Sequence, residues 1–207
     1  MKLVQKIYFL VFIFLVSLSA NPNPSIFIDV DFELNFKKEK IRDKRTGITT
    51  IKHQIKTIDF YYQFDFINSQ YLISFNDLNN NSNFDKSELE LFLKSSFLQS
   101  ISESNFFVSL NIDSVQVANI KDFISNFDIQ NLNSQFILTF TLNLESFEVK
   151  DNFQIFVTDF DKMFGFRIYD DLTVNKFWNY PIRDYIFTID DEVYDLIVEV
   201  FLQTNKI

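Results

Sequence analysis

From Ile26 to Phe36 every second residue is apolar: Ile28, Val30, Phe32, Leu34 and Phe36 alternate with Asp29, Asp31, Glu33 and Asn35. A period of two puts the apolar set on one side of an extended chain and the acids on the other, as in a strand with one face on a core and one in water. Such a strand needs a partner. After the charged turn KKEKIRDKRTG the alternation returns at Ile58, Phe60, Tyr62, Phe64 and Phe66, against Asp59, Gln63 and Asp65, so an antiparallel hairpin with a long loop is expected. Strand periodicity recurs at Phe106, Val108, Leu110 and Ile112, and most regularly from Phe136 through Leu138, Phe140 and Leu142 to Leu144. Shorter runs lie at Phe153 to Thr158 and Phe164 to Tyr169.

Two regions break this period. Ile67 to Asn76 loses the alternation, and Lys86 to Ser102 carries Leu89, Phe92, Leu93 and Phe97 at helical spacing, so the expectation between the strands is helix, loop, helix. Near the C-terminus Val193, Leu196, Ile197, Val200 and Phe201 recur at i, i+3, i+4, i+7 and i+8, which predicts a closing amphipathic helix. Strand runs with a helical insert give an α+β class, with an antiparallel sheet or sandwich-like core, an EF-hand-like helix-loop-helix insert and that C-terminal helix. No repeat, long linker or composition break divides the chain, so residues 21–207 are read as a single domain.

The loop between the two helices is DLNNNSNFDKSE, Asp77 to Glu88. Calcium is a hard cation that takes six to eight oxygen ligands, and an EF-hand supplies them from a twelve-residue loop. Asp77, Asn79, Asn81 and Asp85 fall at positions one, three, five and nine of such a loop. Asn83 would lend its backbone carbonyl at seven, and Glu88 would be the bidentate carboxylate at twelve. Phe84 is the apolar residue at eight. The match fails at position six, where the motif wants glycine and Ser82 stands. A left-handed conformation costs a residue with a β-carbon roughly 1–2 kcal/mol, and with only Asp77, Asp85 and Glu88 charged the expectation is weak binding, about 10⁻⁴–10⁻³ M. The competing reading is a plain asparagine-rich turn, with Asp85, Ser87 and Glu88 capping a helix.

The 207 residues suffice for one domain with a sizeable core. Lys2 and Lys6 flank a basic start, Ile7 to Val16 is continuously apolar, and SLSA precedes NPNPS, the order of a secretory signal peptide over residues 1–20. The apolar run is short for a bilayer span, which needs about 20 residues, so cleavage is favoured over a retained anchor. The protein is therefore read as periplasmic or secreted, the alternative being attachment through an uncleaved signal. Cysteine is absent, which removes disulfides and thiolate chemistry. A formal charge of −9 argues against nucleic acid or an anionic membrane as partner, and for a divalent cation.

Several segments together resemble a bacterial exported family, the domain of unknown function 1007. They are NPSIFID (Asn23 to Asp29), Phe64-Asp65, Ser69, the Asp77 to Glu88 loop, Asn105-Phe106-Phe107, and Asp159 with Phe160 and Phe164. The likeness covers the mature chain up to about Ile168. Members are described as periplasmic components of an uncharacterised transport system and look like neighbours of nickel and cobalt transport. The resemblance implies calcium in the loop and an inner-membrane transporter as partner. It also implies an alternative role, as an accessory to transport of a divalent transition metal. Asn23 and Ser25 stand where that family carries histidines, and neither suits nickel, copper or zinc as imidazole does. The sole histidine, His53, is read as a strand residue.

For catalysis the chain offers no serine motif with a histidine partner, no cysteine, no phosphate-cradling glycine loop and no histidine cluster; a non-enzymatic role is expected. The acids Asp29, Asp31 and Glu33 are read as a solvated sheet face, Asp65 with Ser69 as a helix cap, and Trp178 with Tyr180 as core or interface residues.

Overall fold

The computed structural model describes residues 25–202 apart from 83, 148, 150, 162, 169–181 and 191–194. The expected signal peptide, Trp178 and Tyr180 lie outside the described residues. Among those described, no helix is long and apolar enough to cross a membrane.

The long first hairpin is the spine of the fold. Strands β1 (Ile26–Arg42) and β2 (Thr49–Phe64) pair antiparallel from Ile28 opposite Phe64 out to Arg42 opposite Thr49. Three helices follow: α1 (Phe66–Asn76), α2 (Lys86–Leu93) and α3 (Ser96–Glu103). Then come β3 (Val108–Ile112), β4 (Val115–Gln116), β5 (Ile124–Leu132), β6 (Gln135–Asn143), β7 (Asn152–Val157), β8 (Phe164–Ile168), β9 (Ile182–Asp190) and β10 (Asp195–Leu202). They form two five-stranded sheets, ordered β5-β6-β2-β1-β8 and β4-β3-β7-β10-β9. Neighbours are antiparallel except β1 and β8, which run parallel. The class is α+β with a sandwich-like β core.

The alternation decides which faces are covered. Ile28, Val30, Phe32 and Leu34 of β1, Phe60 and Tyr62 of β2, and Phe136, Leu138 and Phe140 of β6 are buried. They share one apolar cluster with Leu110, Ile155, Val157, Leu196, Val198 and Val200 of the second sheet. Aromatic rings fill its middle: Phe60 stacks on Phe140 at 5.0 Å and Tyr62 meets Phe140 edge-on at 5.1 Å, geometries that add to simple area burial.

Five expectations require correction. The charged segment expected as a long hairpin loop is strand as far as Arg42, leaving only a short turn before Thr49, and Phe66, expected to continue the alternation of β2, is instead exposed and opens α1. The C-terminal amphipathic helix is instead strand β10, hydrogen-bonded between β7 and β9. Leu196, Val198 and Val200 are buried there, so the period is two. Ile197 and Phe201 made the same segment read as helical, but β-branched residues favour the sheet. The single helix expected over Lys86 to Ser102 is broken after Lys94, because the Ser95 hydroxyl accepts from the Leu98 amide and starts α3. The strand expected from Phe106 begins two residues later, since Asn105, Phe106 and Phe107 all have positive φ (52°, 57° and 62°).

That left-handed turn costs roughly 1–2 kcal/mol per residue. Its compensation is visible: both phenylalanines are buried, and the Phe106 carbonyl accepts a 2.9 Å bond from the Tyr62 hydroxyl.

Candidate metal centre

Helix α1 starts where Asp65 stops the β2 ladder. One carboxylate oxygen of Asp65 accepts from the Asn68 amide at 3.0 Å, capping the helix, and the other accepts from Phe27 of β1 at 3.0 Å. The expected cap is therefore Asp65; buried Ser69 instead donates its hydroxyl to the Phe64 carbonyl at 2.9 Å. The strand, the hairpin's first residues and the helix are locked together at one corner of the sheet.

Asp77 ends α1 and opens the loop, its own amide bonded to the Ile73 carbonyl at 2.8 Å. Its side chain is 7% exposed and turns inward: one oxygen accepts from the Asn81 amide at 3.1 Å, the other from the Ser82 amide at 2.7 Å. The Asn79 side-chain oxygen also accepts from Asn81, at 2.9 Å. The chain thus coils around the residue at position one. Coiling this tightly takes left-handed residues, and Asn80 (φ 59°) and Ser82 (φ 62°) supply them. Asparagine enters that region readily, whereas serine does so against its β-carbon.

The far end of the loop is built on Asp85, which caps α2. Its Oδ1 accepts from the Ser87 amide at 2.8 Å, the Ser87 hydroxyl at 2.6 Å and the Glu88 amide at 3.0 Å. The bonds from Ser87 and the Glu88 amide hold this carboxyl below its ordinary pKa. Glu88 returns the contact: its Oε2 accepts from the Asp85 amide at 3.0 Å, completing a capping box. Its Oε1 reaches back to the amides of Leu78 at 2.7 Å and Asn79 at 3.3 Å. At 2% exposure, Glu88 ties the beginning of the loop to its end.

The sheet holds this unit from below. Phe84 packs edge-on against Phe136 of β6 at 5.9 Å, and Phe92 of α2 lies 5.4 Å from the same ring. Asn131 of β5 donates to the Ser82 carbonyl at 3.0 Å, while its own carbonyl oxygen is buried without a partner among the described residues. Nothing in the sequence marked Asn131 as part of the site, because it reaches the loop only through β5.

Asp77, Asn79, Asn81, Asp85 and Glu88 are therefore gathered in one loop; Asn83 lies outside the described residues. Their oxygens suit a hard cation. They are at present directed mainly at backbone amides, and among the described residues no three His, Asp or Glu side chains stand in a metal-ligating group. Coordination by Glu88 would require its carboxylate to exchange amide bonds for the ion.

No protein-family model, curated protein or solved structure matches the chain.

The other acids have nearer partners. Asp29 forms a two-point ion pair with Arg167 of β8, at 2.7 and 3.1 Å. Asp59, directly across from Glu33, accepts from Asn35 at 2.8 Å and Thr141 at 2.7 Å, which offsets the like-charge pairing that otherwise destabilises a sheet. Asp159 accepts from the amides of Asp161, Met163 and Phe164 at 2.9 to 3.2 Å and shapes the turn into β8. His53 lies in β2, opposite Lys38.

Proposed function

We propose that this is an exported, non-enzymatic binding or accessory protein whose Asp77 to Glu88 loop takes up calcium weakly, and that the ion tightens the packing of α1 and α2 on the sheet. The observation that carries this reading is the conformation of Ser82. A residue that resists the left-handed region adopts it at position six, where a calcium loop turns sharply. It does so while the buried carboxylates at positions one and twelve both accept from amides of the loop itself. A divalent cation drawn into the loop would attract the carboxylates of Asp77, Asp85 and Glu88 alike. Asn79 and Asn81 add neutral oxygens without adding charge, which suits a low-affinity site.

Thermal unfolding with calcium, with nickel and with chelator tests the reading. Calcium should raise the melting temperature of the parent and leave Asp77→Ala unmoved. Asp77→Asn keeps an oxygen for the Asn81 and Ser82 amides, so it separates loss of the ion from loss of the loop. A response to nickel alone would instead favour the transition-metal transport role.

A further inference from the structure

The net charge of −9 averages two unlike parts. Residues 37–55 hold seven of the chain's 19 Lys and Arg but only two of its 28 Asp and Glu, a local charge of +5 against −14 for everything else. The fold makes this segment a structure of its own. The pairing of β2 with β6 covers Thr57 to Gln63 and that of β1 with β8 covers Ile26 to Val30, whereas β1 and β2 continue to pair with each other out to Arg42 and Thr49. The two strands therefore leave the sheet as a basic ribbon. The register shifts at Asn35/Phe36, where they leave it, and such a bulge bends and twists a strand pair.

The tip is a tight turn. Asp43 and Ile48 are joined at 2.9 Å, Gly47 takes a positive φ of 71°, and the Asp43 carboxylate accepts from the Arg45 amide at 2.7 Å. That acid is occupied by the turn, whereas Lys40, Arg42, Lys44 and Arg45 are exposed and form no ion pair among the described residues. Between them stand two exposed apolar side chains, Ile41 at 45% and Ile48 at 57%.

From this we infer that the ribbon tip docks on an anionic lipid surface, its lysines and arginines meeting the headgroups while Ile41 and Ile48 enter the boundary beneath them. Basic residues flanking exposed apolar ones match the interfacial region of a bilayer. A nucleic acid offers the same phosphate charge, but the tip from Lys40 to Thr49 has no aromatic, Asn or Gln side chain to stack on or read a base. Repulsion from the acidic body does not forbid the contact. Six residues of ribbon, Lys37 to Arg42, extend about 20 Å beyond the sheet, more than twice the screening length of about 8 Å at physiological ionic strength.

The absence of cysteine allows a polarity-sensitive dye to be placed at the tip alone, through Thr46→Cys in the full chain. The dye's emission should shift to the blue with phosphatidylcholine vesicles containing phosphatidylglycerol, and not with phosphatidylcholine alone. Raised salt should reverse the shift. Lys44→Glu with Arg45→Glu should weaken vesicle partitioning by on the order of 30-fold or more with an unchanged melting temperature. No shift with anionic vesicles, an equal shift with neutral ones, or a response to duplex DNA but not vesicles overturns the inference.

Discussion

Glu88 bridges the two ends of the loop, and its removal has a cost that can be worked from its contacts. The carboxylate is buried and accepts three backbone amides, from Leu78, Asn79 and Asp85. A hydrogen bond to a charged group contributes about 1.5–3 kcal/mol, and a buried amide left without a partner adds a desolvation cost. The Asn79 bond is long at 3.3 Å and shares an oxygen with Leu78, so the three do not add fully. Glu88→Ala should destabilise the protein by about 3–5 kcal/mol, a large share of a typical domain's 5–15 kcal/mol. Glu88→Gln has one carbonyl oxygen, which can serve Leu78 and Asn79 or Asp85 but not both ends. Its NH2 then faces another donor, and its cost should lie near half that of alanine. Urea unfolding in chelator, which removes any metal contribution, measures both. Glu88→Ala within about 0.5 kcal/mol of the parent, the scatter of ordinary surface substitutions, would refute the bridging role, as would glutamine proving as costly as alanine.

Tyr62→Phe removes the donor to the Phe106 carbonyl and should cost about 1–2 kcal/mol in urea unfolding. Burial holds the Tyr62 phenol well above its ordinary pKa, so the unfolded chain ionises first; stability is full below about pH 10 and falls as pH rises beyond it, a decline that Tyr62→Phe should reduce. The Asp85 carboxyl is held low by Ser87 and the Glu88 amide, so its contribution is present above about pH 4 and is lost as pH falls through the lowered folded value; Asp85→Asn should flatten that part of the acid unfolding curve. Ser82→Gly relieves left-handed strain of roughly 1–2 kcal/mol but adds unfolded-chain entropy of roughly 0.5–1 kcal/mol, so urea unfolding should show a small net stabilisation.

The alternating segments were legible because one face of each meets the core: Ile28 to Leu34 and Phe136 to Leu142 are buried at every second residue. The outer half of the first hairpin is not, since from Lys37 to Arg42 only Ile41 is apolar and the alternation is lost; pairing with Thr49 to Gln54 places it in the strand. Strand β5 shows no clear alternation for a related reason. It lies at a sheet edge, and of its residues only Ile129 is buried. In β10 the apolar residues satisfy both periods, and only its place between β7 and β9 decides between them. Within the loop, the spacing of oxygen-bearing residues could be read directly. Which amides those oxygens hold, and the support from Asn131, depend on how α1 and α2 fold back toward each other.

Calcium titration calorimetry on the parent and Asp77→Asn addresses the loop most directly. The parent should show one site with a dissociation constant of about 10⁻⁴–10⁻³ M, and the variant binding at least tenfold weaker. Absence of heat in the parent across that range, or an identical isotherm from the variant, would contradict calcium uptake by these residues.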